Sequence, residues 1–154
     1  MIRVNSVKVS ADIEKLRKSL TAARAYIVGR EVVQGVALGA KAIIKARTQR
    51  GLDSSGEPFK EYTKDYAEIK AKSGRNTKPV DLTFSGRMLN SMDGVFISER
   101  KGAVVFSRGE EALKALGNNR RRKFFDVKLE RELAALSDAA LKLIDAKLKS
   151  EGLA

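Results

Sequence analysis

A chain of 154 residues, 43% hydrophobic and 32% charged, has enough apolar side chain for one core and too much for a disordered polymer. It contains no cysteine and no histidine, which excludes disulfides, thiolate chemistry, imidazole metal sites and every Ser-His or Cys-His catalytic pair. Its formal net charge of +12 points toward polyanionic or acidic partners.

The excess charge is uneven. Residues 1–50 hold 11 basic and 3 acidic side chains, residues 51–100 hold 8 of each, and residues 101–154 hold 12 and 8. No apolar run approaches the roughly 18–20 residues that span a bilayer, so no membrane partner is expected. The first residues lack the apolar centre of a signal peptide. A reducing cytosolic setting fits the missing cysteines.

In chain order, "IRVNSVKV" (2–9) reads as a short strand rich in β-branched residues. Ser10 then caps "ADIEKLRKSL", whose acids precede its bases as a helix dipole favours. Ile13, Leu16 and Leu20 make its apolar face. From about Thr21 to Gln49 the pattern stays helical, with Val33, Val36, Ala37, Ala40, Ile43 and Ile44 as the stripe. Gly35 and Gly39 lie four apart on one face. They either let another backbone approach closely or are a merely tolerated pair.

"RGLDSSGEPFKEY" (50–62) is a loop punctuated by glycines and Pro58. Phe59, Tyr62, Tyr66 and Ile69 then fall at helical spacing, as the apolar edge of a short helix. "AKSGRNTKPV" (71–80) is a second polar loop. In "DLTFSGRMLNSM" (81–92), Asp81, Thr83 and Ser85 are each candidate helix caps. If the helix begins at Leu82, then Leu82, Gly86 and Leu89 share a face and Gly86 thins the helix for a close neighbour. If Ser85 is the cap, Met88, Leu89 and Met92 point inward.

"GVFISERKGAVVFSR" (94–108) is the clearest β signal, a hairpin whose polar turn ends at Gly102. "GEEALKALG" (109–117) reads as one or two helical turns closed by Gly117, and "NNRRRKFFDV" (118–127) as a basic loop entering an aromatic pair. Residues 128–150 form a long helix with Leu129, Leu133, Leu136, Ala140, Leu143 or Ile144, and Leu148 as its stripe. The expected fold class is α+β in a single domain spanning 1–154. A small antiparallel sheet (N-terminal strand plus central hairpin) would pack with long N-terminal and C-terminal helices.

Two segments invite a chemical reading. Glu68-x-Lys70 is the local element of a metal-dependent nuclease, but on a helix these side chains point in different directions and read as solvated charges. Arg120, Arg121, Arg122 and Lys123 form either a phosphate-contacting patch or an exposed loop beside core aromatics. Neither a phosphate loop nor a dinucleotide fingerprint is present, and Ser85 has no histidine to activate it. No enzymatic activity and no cofactor are expected.

The order of these segments resembles the phage virion morphogenesis proteins, which act in tail completion and head–tail joining. The resemblance is carried by "GLDSSGEPFKEYTKDYAEIK", then "DLTFSGRMLNSM" with Asp81, Leu82, Ser85, Gly86 and Leu89, then "GVFISERKGAVVFSR", "ALKALGNN" and "RRKFFDV". It implies a non-enzymatic α+β subunit of the phage neck, assembled in the host cytoplasm and carried in the virion. Its partners would be copies of itself in a ring, a hexamer, together with the tail tube or tail terminator and the portal-side connector proteins. DNA would pass through the channel, with the basic residues 120–123 facing either it or acidic neighbours. The rival expectation is a basic DNA-binding protein or small metal-dependent nuclease of packaging or recombination.

Overall fold

A computed structural model of the chain describes residues 29–98 and 101–152, together with Lys18 and Thr21. The strand expected over residues 2–9 lies outside the described residues. So does all of the helix expected after Ser10 except Lys18, which is helical. The described residues are α+β, with five helices and one two-stranded antiparallel sheet. No helix among them is long and apolar enough to cross a membrane.

Helix α1 spans Arg30–Gln49. The helical pattern was expected to continue through Gly29, but that residue is extended (φ −70°, ψ 156°) and occupies the cap position. Glu31 in the first turn and Arg47 in the last complement the dipole. Of the expected stripe, Ala37 and Ile44 are buried, while Val33, Val36, Ala40 and Ile43 are half-buried.

Strands β1 (Met92–Ser98) and β2 (Lys101–Phe106) form the expected hairpin. Met92 lies opposite Phe106 and Phe96 opposite Gly102, with a bulge between Phe96 and Ser98. The hairpin crosses α1 so closely that a Cβ at Gly94 would sit 2.5 Å from the Leu38 nitrogen and 2.7 Å from the Ala37 carbonyl carbon. Backbone-to-backbone approach, one of the two alternatives for Gly35 and Gly39, thus occurs at Gly94. Gly102 does not close the turn as expected. It sits within β2, where a side chain would meet the Val33 carbonyl at 3.0 Å.

Helix α2 (Lys64–Lys72) departs from the expected face. Phe59 is buried but precedes the helix, Ile69 is 55% exposed, and the buried residue of α2 is Lys70. Helix α3 is the single turn Arg87–Asn90, and α4 runs Gly109–Arg121. The latter passes through Gly117, where the helix was expected to stop; nothing lies within 4 Å of a Cβ there. Arg120 and Arg121 thus belong to a last helical turn, where cations are favoured, and not to a loop.

Helix α5 (Glu130–Ser150) packs on α1. A Cβ at Gly35 would fall 2.6 Å from Leu143 Cδ1, and one at Gly39 would fall 2.9 Å from Leu136 Cδ2. The glycine pair makes room for leucine side chains, not for a backbone. The core gathers Ile44, Phe59, Val80, Met88, Leu89, Met92, Ala115 and Phe124, the last fully buried. Arg47 locks three elements around it: its buried guanidinium donates to Glu132 of α5 and to the carbonyls of Phe124 and Asp126.

Candidate functional site

The 81–89 segment and the basic run near 121, some 35 residues apart in sequence, form opposite walls of one cleft of about 490 Å³. Leu82, Phe84, Ser85, Gly86 and Met88 line one side, and Glu111, Lys114, Asn118, Arg121 and Arg122 the other. Tyr62 and Tyr66 line it as well.

The first wall is held by an ion pair. Lys70 Nζ, on a side chain only 1% exposed, donates to Asp81 Oδ1 at 2.7 Å and lies 4.8 Å from the centre of the Tyr62 ring. The same Asp81 oxygen accepts the Thr83 N–H at 2.9 Å, and the Tyr62 hydroxyl accepts the Leu82 N–H at 3.1 Å. These bonds hold Leu82 at φ +52°, a left-handed conformation that costs a leucine roughly 1–2 kcal/mol. Burial alone would lower the pKa of Lys70, but the hydrogen bonds and charges of Asp81 and Tyr62 outweigh it and hold the ammonium above its ordinary value. Burial raises the Tyr62 hydroxyl, against the opposing pull of Lys70. Lys70 is therefore not the solvated helix charge expected of it; Asp81, eleven residues on, draws it inside.

Gly86 caps α3 at φ +75°. A Cβ there would meet only the Asn90 side-chain nitrogen, at 3.2 Å. Its need for glycine is thus conformational, which corrects the expectation that it thins a helix for a close neighbour. The Ser85 hydroxyl, exposed, accepts the Arg87 N–H at 3.4 Å. Met88, Leu89 and Met92 point inward, as expected for a helix starting after Ser85.

Of the four basic residues, Arg121 and Arg122 line the cleft, and Arg120 and Lys123 are not among its lining residues. Arg122 donates to the carbonyls of Lys60 and Glu61, both at 2.9 Å, and lies 5.2 Å from the Tyr62 ring centre, which makes it a clamp. Arg120, Arg121 and Lys123 are exposed. Phe124, read as either a stacking surface or core, is core. Glu111 is buried and takes a hydrogen bond from Lys114 at 2.9 Å. Tyr66 and Phe84 remain more than a third exposed, their ring centres 6.3 Å apart, with Arg75 over Phe84.

Neither Glu111, Lys114 and Asn118 nor the placing of Phe84 was foreseen. Nothing in their local spacing announces a cleft wall. Glu68 is exposed while Lys70 is buried, so the nuclease-like pair does not face one site. Among the described residues, no three acidic side chains converge as metal ligands would. No protein-family model, no curated protein sequence and no solved structure matches the chain.

Proposed function

We propose that the protein is a structural subunit of a phage virion, of the neck and tail-completion type, acting by contact and not by turnover. One observation carries this reading: large apolar side chains stay exposed on several separate elements. Leu113 (71% exposed) and Leu116 lie a turn apart on α4. Leu133, Leu141 (63%) and Leu143 are exposed on α5, and Ile97 and Val105 on the hairpin. A single exposed leucine needs no explanation, but apolar surface on three elements suits a subunit with neighbours on more than one side. The order of segments that resembles the virion morphogenesis proteins supports the same reading.

As a ring, a hexamer by that resemblance, the subunit joins or caps the tail. One face meets the tail tube or terminator and the other the portal-side neck proteins. Purified particles probed by immunogold labelling test the proposal: label at the neck is expected, and protein confined to infected-cell extract sinks it.

A second reading, binding to DNA in the channel or in packaging, is favoured by the exposure of Arg120, Arg121 and Lys123. It predicts salt-dependent retention of the isolated protein on duplex DNA, lost when the three are changed to Ala. Magnesium-dependent cleavage abolished by Glu68→Ala would instead mark the chain as an enzyme.

A further inference from the structure

We propose that the cleft is a docking site for an acidic, apolar peptide segment of a partner protein. An Asp or Glu carboxylate pairs with Arg121, and a large apolar side chain beside it packs on Tyr66, Phe84 and Met88. At about 490 Å³ the cleft is within the range of specific binding pockets.

Charge selects the partner. Three cations line the cleft against one anion, Glu111. Lys114 is engaged by Glu111, and Arg122 by two backbone carbonyls. Arg121, at the end of α4, has no partner among the described residues, and its planar fork suits a carboxylate in two-point contact. In the same cleft, exposed Tyr66 and Phe84 and buried Met88 supply an apolar lining.

The same wall argues against nucleic acid. Single-stranded bases need a whole open aromatic face to stack on, whereas an aliphatic side chain needs only the exposed part of a ring, and here each ring already has a neighbour. Lys70 and Arg122 lie over Tyr62, Tyr66 leans on Tyr62 at 5.0 Å, and Arg75 lies over Phe84. The Glu111 carboxylate, already bonded by Lys114, can take a further bond only from a donor, and a phosphodiester has no proton to donate. A peptide brings both: N–H groups for the Glu111 carboxylate and the Asn118 amide oxygen, and a carboxylate for Arg121. The inference rests on the reading of the protein as an assembly subunit only in taking the peptide from a partner protein.

The test uses the full chain and fluorescein-labelled heptapeptides, acetylated and amidated at their ends, that place Asp or Glu near Phe or Leu. Matched peptides carry Asn or Gln, and oligothymidylate serves as competitor. The acidic peptides are expected to bind about tenfold or more tightly than their amide counterparts, the effect of one charge-assisted bond. Arg121→Gln should abolish that preference, Phe84→Ala should weaken acid and amide alike, and Arg120→Gln should change neither. Both cleft residues are exposed, and far-UV circular dichroism checks that the variants fold. Equal binding of acid and amide, no binding by any peptide of the set, or displacement by oligothymidylate at physiological salt each overturns the proposal. Particle labelling reads separately: a chain missing from particles whose cleft still prefers acidic peptides overturns the virion reading and leaves the docking site standing.

Discussion

Gly94→Ala tests the close crossing of the hairpin over α1. In a strand, this change by itself should stabilise the protein by about 0.5–1 kcal/mol, because glycine is the more flexible residue in the unfolded chain. The tertiary structure reverses the sign. The new methyl would lie 2.5 Å from the Leu38 nitrogen, 2.7 Å from the Ala37 carbonyl carbon and 2.8 Å from the Leu38 Cα. All three are backbone atoms in the middle of α1, so no rotamer change relieves the clash and the hairpin must lift off the helix. Overpacking of this kind costs about 1–3 kcal/mol, and the backbone origin places this case at the upper end, about 3 kcal/mol. For a chain of this length that corresponds to a fall in Tm of about 6–12 °C. Urea unfolding followed by circular dichroism provides the measurement, with the m-value as a check that the unfolded state is unchanged. Gly117→Ala is the internal control. It adds a methyl with nothing within 4 Å inside α4 and should stabilise by up to about 1 kcal/mol. Two alanines of the same sign, or a Gly94→Ala protein as stable as the parent, would refute the reasoning.

Other outcomes follow from the buried charges and the glycine cap. Arg47→Met should cost about 3–5 kcal/mol in urea unfolding, because it strands buried Glu132 and two carbonyls. Adding Glu132→Leu should recover part of that loss, and an additive double variant would count against the buried Arg47–Glu132 pair. Lys70 and Tyr62 both hold their protons more tightly in the folded chain, so their contribution is complete below about pH 10 and is lost as pH rises through their raised values. The urea midpoint should therefore fall on the alkaline side, and the fall should be shallower in Lys70→Met/Tyr62→Phe. Identical alkaline profiles for the two proteins would remove these groups from the explanation. Gly86→Ala should destabilise by about 1 kcal/mol through its positive φ, and Gly86→Asn by less, a ranking that steric crowding would not produce.

Much of the architecture is legible in local pattern. The Val-, Ile- and Phe-rich runs flanking a polar turn in 94–108 mark the hairpin, and threefold and fourfold spacing marks α1 and α5. Strand propensity and helical period are local properties and need no knowledge of the partner surface. The absence of His and Cys likewise rules out whole classes of chemistry from composition alone. What covers each face is another matter. Ile69 and Lys70 are neighbours in one helix, yet the isoleucine is exposed and the lysine buried, because Asp81 supplies the opposite charge from a different element. Glycine shows the same division. Gly35, Gly86, Gly94 and Gly117 look alike in the sequence, and only the tertiary structure distinguishes room for a leucine, a left-handed cap, a backbone crossing and a position with no packing role. The cleft is the clearest case: Ser85-Gly86 and Arg121-Arg122 become two walls of one site only when α4 folds back beside the 82–88 turn. Periodicity reports which side of an element is apolar. Which side another element covers, and which charge it brings, is decided by contacts between residues far apart in the chain.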